Sequence, residues 1–201
     1  MNKLFSLISL VILVTGCNAA VKTTTPEQIA VSFLMKHEGT VKVGSMHVLY
    51  DDGQPSYIRG RFNTAKIIRD GETFEQFKAR CKGRPTIGYG ETSEAAVKKL
   101  RITEEEAKAF LTKSVKSVSS YMPKKFGKAW NNLNTNQKAA VISYFYNCGM
   151  YSKHPAMLKL MKTNPSLCYK EMDAGLKTAK AKGQTGLTKR RAAEVALFKK
   201  K

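Results

Sequence analysis

Residues 84 to 92 read RPTIGYGET, and the placing of the rest of the chain turns on this short run. It joins a Pro, a Thr, a Tyr and two glycines in a chain that otherwise reads as helical and strongly basic. Gly88 and Gly90 supply backbone angles that other residues resist, so the run predicts a tight hairpin. By itself such a turn is only a connector. It has a second reading, in which the hairpin presents the hydroxyl of Thr86 to something else in the fold.

Working outward, helix signals surround the hairpin. Thr25-Pro26-Glu27-Gln28 is a capping box with Pro at the first helical position, and Ile29, Phe33 and Leu34 follow on one stripe. This helix is expected to run to His37, with Gly39 as the stop. From Thr40 to Ile68 the pattern turns strand-like and irregular, with Gly53 and Pro55 as turn signals. A short helix is expected within Thr73 to Lys82. Beyond the hairpin the chain reads as helical to its end. Ile102-Thr103-Glu104-Glu105-Glu106 opens a helix striped by Ala107, Leu111, Val115, Val118 and Met122. Further helices are expected over 135–147, 156–162 and 188–198. The fold class is α+β, a small β-hairpin region packed on a mainly helical body.

The N-terminus opens with Lys3, then an apolar run from Leu4 to Val14, then small residues up to Cys17. That run is too short for a bilayer span, which needs about 20 residues. It has the form of a secretory signal over residues 1–20, leaving 21–201 as the working domain. Val14-Thr15-Gly16-Cys17 also resembles the lipobox of bacterial lipoproteins, in which the Cys is lipidated. Ordinary cleavage after Ala19 or Ala20, and an uncleaved anchor, are the alternatives. All three readings export the chain, to the periplasm or to a lipid anchor in the outer membrane.

The formal charge is +20, and loss of Lys3 with the signal leaves +19. Such an excess says nothing of the fold but points to an anionic envelope surface as partner. The basic residues are scattered and no base-stacking aromatic motif accompanies them, so nucleic acid is not expected. Cys81, Cys148 and Cys168 leave an odd count without Cys17, and their spacing does not settle any pairing. His37, His47 and His154 form no ligand cluster, so neither metal nor cofactor is expected.

Only 15 acidic residues stand against 35 basic ones. Glu38 falls at the end of the first helix, where the terminal partial charge disfavours an ionised carboxylate and suits a proton donor. Asp51 and Asp52 fall at a strand tip, in solvent. Two carboxyl groups in opposite environments are what glycoside hydrolysis requires.

Five elements in order carry a resemblance. Glu38-Gly39, Tyr50-Asp51-Asp52 and Thr86-Ile87-Gly88-Tyr89-Gly90 resemble the Glu, Asp and Thr catalytic elements of phage-type lysozymes, glycoside hydrolase family 24. Asn136 to Gly149 resembles that family's buried helix ending in Asn-x-Gly, and Gly186-Leu187-Thr188-Lys189-Arg190-Arg191 its Gly-Leu-x-x-Arg-Arg signature. The resemblance implies a monomeric peptidoglycan hydrolase that cuts between N-acetylmuramic acid and N-acetylglucosamine. It implies Glu38 as proton donor, Asp52 holding the attacking water, Thr86 on the same water, and substrate contacts from Gly88, Tyr89 and Asn147. A carboxylate separation wide enough for water would make the enzyme inverting. An inactive wall- or lipopolysaccharide-binding lipoprotein of the same fold is the alternative.

The chain also departs from the family pattern. The spacing from Glu38 to Asp52 is longer than usual, which keeps Asp51 open as the second carboxylate. Neighbouring strand residues point to opposite faces, so only one of the two enters a cleft. An insert at about 53–85 is expected to protrude beside the cleft. Glu91 stands where the family commonly has His.

Overall fold

A computed structural model describes residues 24–54, 57–58, 61–149 and 155–201. The expected export segment, Cys17 and His154 lie outside the described residues. Helix α1 (Pro26–His37) begins where its capping box predicts. Thr25 accepts from the Gln28 amide, and the Gln28 side chain accepts from the Thr25 amide at 2.9 Å. Its buried face is Ala30, Val31 and Leu34. Strands β1 (Lys42–Val43) and β2 (Met46–Val48) then form a short hairpin.

Strand β3 (Tyr50–Asp51) opens the insert, which holds the β4–β5 hairpin (Tyr57–Ile58, Arg61–Phe62), a 3-10 turn (Thr64–Lys66) and helix α2 (Phe74–Arg80). Strand β6 (Pro85–Thr86) closes it by pairing antiparallel with β3, Tyr50 opposite Thr86 and Asp51 opposite Pro85. The ends of the insert cross at Gly53 and Gly83. A Cβ on Gly83 would sit 2.2 Å from the Gly53 nitrogen and 2.3 Å from an Asp52 carboxylate oxygen, so no larger residue fits.

The insert has its own brace. Arg80 donates to both Glu72 carboxylate oxygens and to the carbonyls of Ala65 and Ile67. The Arg80 hydrogen bonds, working against burial, hold the Glu72 carboxyl down at about 2. A carboxyl depressed in the folded state stabilises it above the ordinary value near 4.5, and that stability is lost as pH falls toward 2. Melting wild type and Glu72→Gln between pH 6 and pH 2.5 should show the wild-type advantage shrinking across that window. An advantage that does not change with pH would mean the pair carries no such linkage.

After helix α3 (Glu94–Val97), strand β7 (Arg101–Ile102) joins β2 to complete a three-stranded sheet. Helix α4 (Glu104–Phe126) starts at a capping box on Thr103, and it buries Ala107, Leu111, Val115, Met122 and Phe126 at helical spacing. Helices α5 (Lys128–Asn131), α6 (Thr135–Cys148), α7 (Pro155–Thr163), α8 (Cys168–Ala181) and α9 (Thr185–Lys199) complete the body. Helix α6 is the centre of the core. Every residue from Ala139 to Phe145 is buried, and α1, α4 and α9 pack around it. A helix apolar all round is a core helix, and this one carries its C-terminal residues out to the cleft. Among the described residues no helix is long and apolar enough to cross a membrane.

Candidate active site

A cleft of about 640 Å³ opens between the hairpin region and the helical body, lined by Glu38, Tyr50, Asp52, Thr86, Tyr146 and Asn147 among others. Glu38 reaches it from the end of α1, where its own amide still donates to the Leu34 carbonyl at 2.8 Å. Its side chain is 17% exposed and accepts a hydrogen bond from the buried Arg190. Tyr50 and Tyr146 line the same pocket. Burial, reinforced by the charge of Glu38, raises both phenols well above their usual range, so they stay neutral.

The two adjacent aspartates part company. Asp51 is fully buried and accepts from the amides of Gly53, Lys82 and Gly83 and from the Gln54 side chain, at 2.7 to 3.0 Å. Burial pushes its carboxyl up, but these donors outweigh it and hold it below the usual range. Asp51 thus ties the neck of the insert. Asp52 lies on the cleft side and accepts from the Arg84 amide. The Arg84 carbonyl in turn accepts from the Asp52 amide at 3.2 Å and the Thr86 hydroxyl at 3.0 Å. The backbone of one residue, Arg84, therefore sets both Asp52 and Thr86, and the Thr86 oxygen keeps its lone pairs for the cleft. Asp51→Asn puts an NH2 group among donors, and should cost about 1–3 kcal/mol or more, visible as a lowered Tm. An unchanged Tm would show that the neck does not depend on this carboxylate.

Gly88 and Tyr89, expected as substrate contacts, are not among the residues that line the cleft. Gly88 packs against Ala107 of α4, 3.2 Å from where a Cβ would stand. Tyr89 is buried on the same side, its hydroxyl donating to Glu104. Glu104 also takes Lys42 and His47, and these bonds, Lys42 first, hold its carboxyl at about 2. It is Gly90, at φ +86°, that faces the cleft. A Cβ there would stand 3.8 Å from both the Glu38 carboxyl carbon and the Tyr146 hydroxyl. The hairpin is fastened on its far side by Glu91, which accepts from Ser114 of α4 at 2.7 Å and from the Ser93 amide at 2.9 Å. The Tyr146 hydroxyl adds a bond to the Tyr89 carbonyl at 2.8 Å.

Behind the cleft lies a buried charge network that single-residue reading of the sequence did not assign. Arg190 grips Glu38 and donates to Glu194 at 3.2 Å and to the Ser143 carbonyl at 3.1 Å. Arg191 donates to Glu194, and to Asn147 at 2.7 Å and the Cys148 sulfur at 2.8 Å. Glu194 has no exposure and also accepts from Ser143 at 2.7 Å. Two guanidinium groups thus share two carboxyl groups, and each arginine holds one cleft residue. The Arg-Arg pair was visible as a motif, and Tyr146 as part of the core helix. Their contacts with Glu38 and Tyr89 join segments far apart in sequence. Cys81, Cys148 and Cys168 are free thiols, and among the described residues no cluster of His, Cys, Asp and Glu could hold a metal.

No curated protein matches the chain. The family model described as phage lysozyme matches residues 70–194. The match takes in Thr86, Tyr146, Asn147, Arg190, Arg191 and Glu194 and begins after Glu38 and Asp52. It spans more than half of the sequence, and with the α+β architecture around a cleft it makes the chain a member of the phage lysozyme family.

Proposed function

We propose that the protein is an exported muramidase that hydrolyses the β-1,4 bond between N-acetylmuramic acid and N-acetylglucosamine in peptidoglycan. The observation that carries this is the convergence of Glu38, Asp52 and Thr86, from three separate elements, on one cleft. Glu38 gives its proton to the glycosidic oxygen as the bond from that oxygen to the sugar C1 breaks. Asp52 and the Thr86 oxygen hold a water that attacks C1, and Asp52 takes up the proton the water loses. Developing positive charge on the sugar ring is met by the Asp52 carboxylate. Neutral Tyr50 and Tyr146 shape the wall beside Glu38 without competing as bases. Arg191 keeps Asn147 turned to the cleft, where it can bond an N-acetyl or hydroxyl group.

Export, with Cys17 as a lipid anchor, belongs to the same proposal and is supported by the Lys3, Leu4–Val14 and Cys17 pattern. The deciding experiment digests purified sacculi and analyses the new ends. Muramic acid at the reducing terminus is the expected product. Binding to sacculi without any new reducing end would leave the inactive, wall-binding alternative in its place.

A further inference from the structure

A second groove, about 860 Å³, runs between the first half of α1 and the length of α4. Thr25, Ser32, Lys108, Lys116, Pro123 and Trp130 are among its lining residues. It opens at the start of α1, while Glu38 stands at the other end of that helix, about 18 Å away at 1.5 Å per residue. It is not part of the catalytic cleft, with which it shares no lining residue.

Its chemistry is cationic over an apolar floor. From Ala107 to Lys170 the sequence holds no Asp or Glu and eleven lysines. Lys108, Lys113 and Lys116 are exposed along one side of α4, and none has an ion-pair partner among the described residues. Together with Glu105 they border a shallow, largely apolar strip at Ala109 that adjoins the groove, three lysines against one acid. The one acid in the groove, Glu27, is engaged by the Ser119 hydroxyl. Buried Val31 and Trp130 form the floor.

The position matters as much as the charge. Thr25 lines the groove, and the chain upstream of it carries Cys17 and the apolar run Leu4–Val14. Thr25 stands eight positions after Cys17, a reach of at most about 28 Å. A membrane that held the chain at Cys17 would therefore lie within reach of these lysines. We propose that this groove and the lysine side of α4 dock on anionic phospholipid headgroups, seating the catalytic body on the membrane beside its N-terminal attachment. The assignment rests on the proposed membrane attachment. The lysines meet headgroup phosphates with their charged tips while their stems lie along the apolar strip. Lysine, and not arginine, supplies all of this charge, and the nearby aromatic is buried. Those features fit a diffuse lipid surface better than stacked bases.

Trp130 is the chain's single tryptophan and so reports on the groove alone. The full chain is reconstituted with vesicles of phosphatidylcholine, or of phosphatidylcholine with one part in three phosphatidylglycerol, each carrying a headgroup nitroxide. Trp130 should be quenched in the anionic vesicles and not in the zwitterionic ones. Changing Lys108, Lys113 and Lys116 together to Gln should abolish the quenching. It should weaken association with anionic vesicles on the order of a hundredfold, at roughly fivefold per lysine. The matching triple Arg variant should keep both. Gln at Lys180, Lys182 and Lys189, an equal charge change elsewhere, should have little effect. The proposal fails if Trp130 is quenched equally in both vesicles, if the Lys180 set matters as much, or if soluble muropeptides and not lipid change the Trp130 signal. Cleavage of soluble peptidoglycan by the Lys108 set should equal wild type, which separates this test from that of the muramidase reading. A full chain that stays off zwitterionic vesicles overturns the N-terminal attachment, and the phosphatidylglycerol-dependent signal still decides the groove.

Discussion

Glu38→Gln should lower turnover on peptidoglycan by about 10² to 10⁴, the range typical of losing a general acid. Gln keeps the size of the side chain and can still accept from Arg190, which retains Glu194 and the Ser143 carbonyl as further partners. The fold should therefore survive, and binding to sacculi should change little. Asp52→Asn should be of similar severity by a different route, since the water loses the carboxylate that orients it and takes its proton. Among the described residues the Asp52 carboxylate accepts only from the Arg84 amide, so its variant should melt close to wild type. Both are read by reducing-end release alongside thermal melting. A folded Glu38→Gln protein with full activity would place the proton donor elsewhere and end the proposed mechanism.

The largest expected loss of stability is at Glu194, which touches no substrate. Glu194→Gln leaves Arg190 and Arg191 buried, at 3% exposure each, with Glu38 as the one remaining carboxylate. Breaking a buried ion pair from one side costs about 3–5 kcal/mol, because a charge is left without compensation. For a chain of this size that is a fall in Tm on the order of 10 °C. The signature is the reverse of the Glu38 variant, with melting shifted strongly and residual turnover measurable at low temperature. A Glu194→Gln protein that melts like wild type would mean that Glu38, Ser143 and Asn147 suffice to hold the arginines.

The features legible in the sequence were those written in neighbouring residues. The boxes at Thr25 and Thr103 place α1 and α4, and Glu38 follows from where α1 must stop. The short helix before Gly83 and the buried helix ending at Gly149 were legible for the same reason. Helix α8 fell within the stretch read as helical but had no bounds of its own, because its buried side is Cys168, Met172 and Ala179, a thin apolar signal among lysines. The choice between Asp51 and Asp52 was closed to local reading. It depends on amides at Lys82 and Gly83, some thirty residues on. The motif does not express which way each of its residues turns: Gly88 and Tyr89 pack toward α4 while Thr86 and Gly90 face the cleft. The hold of Arg190 on Glu38 spans most of the chain, and no pattern within either segment expresses it.

The crossing of Gly53 and Gly83 has a consequence for how this protein could vary. Everything between those glycines leaves and returns through the same point, so the length of that stretch is uncoupled from the geometry of the strands beside it. Lengthening a stretch whose ends already meet adds a closure cost that grows only with the logarithm of its length. The position is therefore a natural graft point, where a different recognition element could be exchanged while β3 and β6 keep their register. It also concentrates the penalty for error. A Cβ at either glycine would force apart the backbone that bears Asp52, so the stretch between them is free to diverge only while Gly53 and Gly83 stay as they are.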